Sequence, residues 1–192
     1  MGTFAIAFAT VLTVVLLATI GLGMHLSFPL SVNSSSEDRY RRAVVGLLSA
    51  SGKQLAEINV RIADTPRKLY LGLSGLESLA PREGMLFVYG NSGTHVYVMR
   101  NMKFPIDIVF IATNGCITAI RRATLPPDRT EISDLTRYRG RGQYVLEVPL
   151  GVASEIGLSK GDYVKIPVSI KLIAFMKRVR KYFRKMYQSF FL

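Results

Sequence analysis

The segment FPIDIVFIATNGCITAI, residues 104–120, decides the fold class of this chain. Two short runs rich in β-branched and aromatic residues, 106–111 and 116–120, flank the pair Asn114-Gly115. Both residues of this pair tolerate the positive φ angles of a type I′ turn, which joins neighbouring antiparallel strands. The segment therefore predicts a β-hairpin.

Similar runs separated by turn-forming residues fill the middle of the chain and predict further strands. They cover residues 43–48, 55–62, 85–89, 94–99, 144–148 and 163–168. Helix is expected only in short pieces. Thr65 suits an N-cap and Pro66 the first turn of a helix ending near Gly72, and residues 152–156 form a second candidate. The polar stretch from Pro126 to Gly142 predicts a long flexible loop.

The N-terminal segment is apolar, and residues 3–30 contain no Asp, Glu, Lys or Arg. About 20 apolar residues cross a bilayer, so residues 1–30 predict a single transmembrane anchor, with a cleaved signal sequence as the alternative. Residues 31–39 are polar and predict a linker. Arg39, Arg41 and Arg42 follow the anchor, and the positive-inside rule would place such a flank, and the domain, in the cytoplasm.

The formal net charge of +12 is concentrated near the C-terminus. From Tyr163 onward there are eight Lys or Arg and no Asp or Glu, which leaves +4 for the other 162 residues. This distribution argues against a nucleic-acid-binding domain. One cysteine, Cys116, excludes an intramolecular disulfide, and two histidines do not supply a usual zinc ligand set. The sequence predicts no metal and no cofactor.

Residues 170–192 predict a basic amphipathic helix. At about 100° per residue, one side carries apolar residues: Leu172, Phe175, Met176, Val179, Tyr182, Phe183, Met186, Tyr187 and Phe190. The opposite side carries Lys171, Lys177, Arg178, Arg180, Lys181, Arg184 and Lys185. This pattern is typical of helices that lie on an anionic lipid bilayer. Packing on the domain, or binding a protein or nucleic acid, are the alternatives.

Sequence blocks of the middle region carry a family resemblance. The blocks are residues 72–74, 83–88, 97–102, 104–110, 115–117 and 144–148, with Gly151, 157–158 and 161–162. In this order and spacing they resemble the family known as domain of unknown function 192, or uncharacterised protein family 0127. This chain resembles the archaeal branch of the family, because Val98-Met99-Arg100-Asn101 stands where the family usually has Trp-Met-Lys-Asn.

The resemblance implies a mainly β fold for residues 40–169, a compact sandwich or barrel with one or two short helices. With the two ends, the whole chain would have an N-terminal transmembrane helix and a C-terminal basic amphipathic helix. The resemblance implies no established activity. Because members of the family are often exported, it favours an extracytoplasmic domain by a small margin.

Five polar residues within the matched blocks lie beside apolar strand residues: Glu83, Arg100, Asn101, Asp107 and Glu147. One interpretation is a structural network in which Arg100 pairs with Asp107 or Glu147. The other is a pocket, in which Arg100 and Asn101 would bind an anionic or carbonyl group.

Two functions follow from these features. The favoured one is a binding or assembly module at the membrane surface, with a protein, a glycan or lipid as its partner, because no nucleophile, metal set or cofactor motif is evident. The alternative is a small hydrolase of a polar substrate such as a saccharide, using Asp107 and Glu147. Carboxyl groups within about 5 to 10 Å of each other in a cleft would favour the hydrolase. An Asp107 bonded to backbone amides would be structural.

Overall fold

The computed structural model describes residues 40–127 and 130–191. The strands in this part of the chain are β1 (Arg42–Leu48), β2 (Gln54–Ala63), β3 (Glu83–Tyr97), β4 (Ile106–Ile111), β5 (Ile117–Ala123), β6 (Tyr138–Pro149) and β7 (Tyr163–Lys165). The helices are α1 (Pro66–Leu71), α2 (Val152–Glu155) and α3 (Val168–Phe191), with a 3₁₀ turn at Ile132–Asp134. The predicted anchor and linker lie outside the described residues. Within them, none of the helices has the length and apolarity needed to cross a membrane.

The seven strands form one curled sheet in the order β5-β4-β6-β3-β2-β1-β7. All neighbours are antiparallel except β2 and β3, which run parallel because α1 crosses over between them. As predicted, the Thr65 side chain caps α1 by accepting a hydrogen bond from the Lys68 N–H, and Pro66 occupies the first turn. The mainly β class is confirmed, as a half-barrel with three helices.

The two edges of the sheet meet beside the β4–β5 hairpin. Cys116 forms an antiparallel bridge with Tyr163 of β7, and the Gly115 carbonyl accepts a hydrogen bond of 2.8 Å from the Val164 N–H. The curl encloses a hydrophobic core on the inner face of the sheet, to which Val45, Ile58, Leu86, Val109, Leu146 and Val164 contribute. The outer face carries a second core that includes Met85, Phe87, Ile108, Phe110 and Val145.

The β-hairpin is confirmed, but its predicted turn type is wrong. Among the described residues other than glycine only Asn101 has a positive φ, so Asn114 does not meet the type I′ requirement. The Gly115 N–H donates to the Ala112 carbonyl at 3.0 Å, and Gly115 has a φ of 93°. This is a type I turn followed by a left-handed glycine, the usual three-residue hairpin loop. The Asn114 side chain accepts from the Cys116 N–H at 3.0 Å.

The predicted flexible loop is wrong at its C-terminal end, residues 138–142, because β6 begins at Tyr138. Gly140 and Gly142 lie inside β6, where a Cβ at Gly140 would come within 2.2 Å of the Phe110 ring. A Cβ at Gly142 would lie 2.6 Å from the Ile111 carbonyl oxygen. These glycines permit close packing within the sheet, and their presence does not mark a loop.

The predicted strands 85–89 and 94–99 are parts of one strand, β3, with an irregular register between Val88 and Gly93. The helix α3 packs against this irregular part. Lys177 Nζ donates to the Val88 carbonyl at 2.7 Å, and Arg178 Nε donates to the Gly90 carbonyl at 3.3 Å. These bonds satisfy backbone carbonyls that the irregular pairing leaves available.

Candidate functional site

A pocket of about 220 Å³ opens on the outer face of the sheet, beside β3. Its lining comes from the end of α1 and the residues after it, from β3, and from the segment that follows β3. The lining is Leu69–Ser74, Phe87, Tyr89, Val96, Tyr97, Val98, Arg100, Met102, Ile106 and Glu147. Most of these side chains are apolar or aromatic, and Glu147 is the acidic residue among them.

Glu147 is held in place by the centre of the sheet. In β6 it pairs with Met85 of β3 on one side and with Ile108 of β4 on the other. Only 5% of the residue is exposed, and no hydrogen bond from the described residues reaches its carboxyl group. Burial raises the pKa of the Glu147 carboxyl to about 8. At neutral pH this side chain therefore keeps its proton.

Tyr89 and Tyr97 bring two hydroxyl groups to the same pocket. Tyr89 lies in the irregular part of β3 and Tyr97 lies beyond it, and their hydroxyl oxygens are 2.9 Å apart. Burial, and to a smaller extent the charge of Glu147, raises the pKa of both phenols. The Tyr97 ring packs edge-on against Phe87, with ring centres 5.1 Å apart. Both tyrosines are therefore neutral hydrogen-bonding groups held in fixed positions.

Arg100 lies at the rim of the pocket and is already engaged. Its Nη2 donates to the Tyr70 carbonyl at 2.7 Å, and its guanidinium carbon lies 3.9 Å from the centre of the Tyr70 ring. Ser74 Oγ donates to the Arg100 carbonyl at 2.9 Å. Arg100 bonds to neither Asp107 nor Glu147, so the structural network considered from the sequence is not the one that forms.

Asp107 is buried on the inner face of the sheet. Its Oδ2 accepts hydrogen bonds from the backbone N–H groups of Gly151 and Ala153, at 3.0 and 3.1 Å. In the pairing of β4 with β6, Asp107 is opposite Val148, whereas Glu147 is opposite Ile108. Since alternate residues of a strand point to opposite faces, the two carboxyl groups are separated by the sheet. Asp107 meets the condition stated above for a structural residue.

Asn101 and Glu83 do not join the pocket. Asn101 is the residue with a left-handed backbone, φ 52°, and its carbonyl accepts from the Gly75 N–H at 2.9 Å. It lines a neighbouring cleft with Arg100. Glu83 lies at the start of β3, 3.6 Å from Arg42, in another cleft. Of the five polar residues, only Arg100 and Glu147 share the pocket.

Tyr70, Tyr89 and Tyr97 were not predicted from the sequence as pocket residues. Aromatic residues on strands are usually core, and nothing in the sequence showed that Tyr89 and Tyr97 share one side of an irregular strand. His95 lies next to them: its ring stacks on Tyr89 at 3.7 Å, and burial lowers its pKa. Among the described residues, no group of three His, Cys, Asp or Glu side chains could hold a metal ion.

The seven basic residues predicted for a lipid surface have different surroundings in α3. Lys177 and Arg178 bond to carbonyls of β3, as described above. Lys177, Arg180, Lys181 and Arg184 border a cleft that also contains Asp64 and the start of α1. Lys171 and Lys185 are exposed. Part of the basic side therefore faces the domain.

Fold and pocket together define a small, mainly β protein whose outer sheet face carries an aromatic pocket with a buried carboxyl group. The family model described as "Uncharacterized ACR, COG1430" matches residues 47–166, and the chain belongs to this family, domain of unknown function 192. The family resemblance is thereby confirmed.

Two solved structures are similar to this chain. One is a protein of Sinorhizobium meliloti 1021, provisionally described as a transcription regulator. It is 31% identical with a TM-score of 0.58, over 66% of this chain and 94% of its own. The other is a protein of unknown function from Novosphingobium aromaticivorans DSM 12444, 25% identical with a TM-score of 0.58, over 72% and 90%. No curated protein matches this chain significantly.

Proposed function

We propose that the chain is a binding module attached to a membrane, with α3 lying along an anionic lipid surface and the β domain on the opposite side of the helix. The observation that carries this proposal is an apolar side of α3 that no described residue covers. Five large side chains of this side are 50 to 69% exposed: Leu172, Phe175, Met176, Tyr182 and Phe183. We call them the exposed stripe.

The exposed stripe lies opposite the docked side of α3. Ile170 and Ala174, 2% and 1% exposed, pack into the inner core. At about 100° per residue, the stripe falls within an arc of roughly 120° centred opposite Ile170. Burying Phe, Tyr, Leu and Met side chains at the headgroup boundary of a bilayer removes this apolar surface from water. A helix docked in this way can contact lipid without leaving the domain.

The charges of α3 fit the same surface. Lys171 and Arg180 flank the exposed stripe on its two sides, where long basic side chains can reach lipid phosphates. The chain has no Asp or Glu after Asp162. Each such Lys or Arg contributes about 1 kcal/mol at an anionic surface. The apolar residues 1–30 would supply a second attachment to the membrane.

The hydrolase alternative has less support. It requires two carboxyl groups in one cleft, whereas Asp107 and Glu147 lie on opposite faces of the sheet and Asp107 is bonded to backbone amides. Glu147 by itself provides a binding group in a pocket, which suits a binding module.

Tryptophan fluorescence tests the membrane contact, because the natural chain contains no Trp. The full chain with Phe183→Trp is reconstituted into vesicles of neutral or anionic lipid, each with and without brominated acyl chains. Ile132→Trp, at an exposed position of the 3₁₀ turn, is the matched control. We expect a blue shift and bromine quenching for Phe183→Trp that increase with anionic lipid, and little quenching for Ile132→Trp.

A charge variant separates lipid binding from simple proximity to the anchor. Replacing Lys171 and Arg180 by Glu should abolish the dependence of Phe183→Trp quenching on anionic lipid. If Phe183→Trp stays open to aqueous quenchers in anionic vesicles to the same degree as Ile132→Trp, the proposal is wrong.

A further inference from the structure

The carboxyl group of Glu147 is the feature of the pocket that calls for a ligand. Glu147 is 95% buried and lines the cavity. Its carboxyl group accepts no hydrogen bond from the described residues. Native proteins pair buried carboxyl groups with cations or hydrogen-bond donors, because an unpaired one costs several kcal/mol. Asp107, on the other face of the same sheet, has two such donors. Glu147 therefore has no such donor among the described residues, and a bound ligand could supply one.

Arg100, the basic side chain of the pocket lining, does not fill this role. Its guanidinium group is held at the rim by the Tyr70 carbonyl and ring. The pKa of Glu147 is raised by burial, with no opposing effect from a nearby positive charge. The inner part of the pocket therefore holds an acidic group with space in front of it. That space is bordered by Phe87, Tyr89 and Tyr97.

We infer that the pocket binds a small organic cation, an alkylated ammonium group, with its charge against Glu147 and its carbon substituents against the aromatic side chains. Aromatic residues combined with a carboxylate are a known means of recognising ammonium groups. The volume of about 220 Å³ suits a group of choline size and is small for a drug-sized molecule. The inference rests on the proposed function only in treating the domain as a binding module, and it does not require membrane contact.

Binding of a cation would be coupled to release of a proton. The ammonium ion displaces the proton of the neutral Glu147 side chain, and that proton passes to the buffer. The other titratable groups facing the pocket are Tyr70, Tyr89, Tyr97 and Arg100, with His95 behind Tyr89. Burial raises the pKa of Tyr89 and of Tyr97, so these two phenols stay neutral at neutral pH. Affinity for a quaternary ammonium ion should therefore rise up to tenfold per pH unit below about pH 8 and level off above it.

The test is calorimetric titration of the full chain in detergent with choline. Its neutral isostere 3,3-dimethyl-1-butanol, in which carbon replaces the ammonium nitrogen, is the decisive control. Glucose and butyrate represent neutral polyols and anions. Titrations at pH 6.5 in buffers of different ionisation enthalpy measure proton release. The variants are Glu147→Gln and, as the matched control, Glu83→Gln, which alters a carboxyl in a different cleft.

We expect choline to bind at least tenfold more tightly than its isostere, with close to one proton released. Glu147→Gln should weaken choline binding at least tenfold and abolish proton release, and Glu83→Gln should change neither. Equal binding of choline and its isostere, stronger binding of glucose or butyrate, or no binding of choline at about 10 mM would each overturn the inference. Proton release by the natural chain remains a readout if Glu147→Gln fails to fold. Because no lipid bilayer is present, the result is separate from that of the membrane test.

Discussion

At the scale of single residues, Asp107 and Glu147 show how one sheet treats two buried carboxyl groups differently. Asp107 points to the inner face, where the turn into α2 offers two backbone N–H groups. Glu147 points to the outer face, where the other polar side chains of the pocket lining are three tyrosines, Ser74 and an arginine that is already hydrogen-bonded. The first carboxyl group holds α2 onto the sheet, and the second is left facing a cavity.

Replacing Asp107 should destabilise the domain strongly. Asp107→Ala leaves the N–H groups of Gly151 and Ala153 without their acceptor, so we expect a loss of about 3 kcal/mol in the free energy of unfolding. Asp107→Asn keeps one acceptor oxygen and should lose less. Glu83→Ala, which removes the partly exposed carboxyl near Arg42, is the control and should cost under about 1 kcal/mol. Urea unfolding of the three variants measures this, and equal losses for Asp107→Ala and Glu83→Ala would contradict it.

Glu147 should make stability depend on pH. Its folded pKa, about 8, is raised above the ordinary value of 4.5, so between these values the unfolded chain releases a proton that the folded chain retains. Its contribution is most favourable below pH 4.5 and is lost as the pH rises towards 8. Between pH 4.5 and pH 8 the free energy of unfolding of the natural chain should fall by on the order of 4 kcal/mol relative to that of Glu147→Gln, whose side chain at this position does not titrate.

Urea unfolding of both proteins at unit steps from pH 5 to pH 8 checks this expectation. Parallel curves for the natural chain and Glu147→Gln would show that Glu147 has an ordinary pKa or a partner in the folded state.

The sequence identified Glu147 but not its surroundings. Strand alternation tells which residues of one strand share a face, and it does not tell the register between strands far apart in sequence. The pairing of Glu147 with Ile108 and Met85 sets which face each carboxyl takes. For that reason the pocket with Tyr89 and Tyr97 could not be assembled from the sequence.

At the scale of elements, α3 is held to the domain by one side and leaves another side bare. Ala174 is buried and its neighbour Phe175 is 53% exposed. The same substitution at these adjacent positions therefore separates docking from lipid contact. Ala174→Arg places a charge in the core and should cost about 3 kcal/mol or release α3 from the sheet. Phe175→Arg should change stability in solution by under about 0.5 kcal/mol.

Hydrogen exchange of residues 168–180 and urea unfolding report on docking, and vesicle quenching of Phe183→Trp reports on lipid contact. Phe175→Arg should reduce the quenching while leaving exchange unchanged. A similar loss of exchange protection in both variants would show that α3 docks through a different side.

Elements with strong local signals were predictable. The β4–β5 hairpin and the Thr65-Pro66 start of α1 follow from turn and capping chemistry within a few residues. The errors concern the turn type of the hairpin, two glycines and β3. Gly140 and Gly142 were interpreted as loop residues, although they are needed because β4 packs against them. The parallel pairing of β2 with β3 and the irregular register of β3 depend on distant strands.

At the scale of the whole molecule, the curled sheet depends on a close contact between its two edges. A Cβ at Gly115 would lie 2.7 Å from the Val164 carbonyl oxygen, and its φ of 93° is unfavourable for other residues. Gly115→Ala should therefore separate β7 from the hairpin and destabilise the inner core. Gly52 in the β1–β2 turn is the matched control, since its φ is 85° and a Cβ there would meet nothing within 4 Å.

Both substitutions carry the backbone cost of a positive φ, about 1 kcal/mol, but only Gly115→Ala adds a clash with backbone. We expect a loss of about 3 kcal/mol for Gly115→Ala and about 1 kcal/mol for Gly52→Ala in urea unfolding. Exchange of the Val164 N–H, which donates to the Gly115 carbonyl, should accelerate in Gly115→Ala alone. Equal losses, with the Val164 N–H still protected, would mean that the two edges adjust without separating and that the inner core does not depend on this contact.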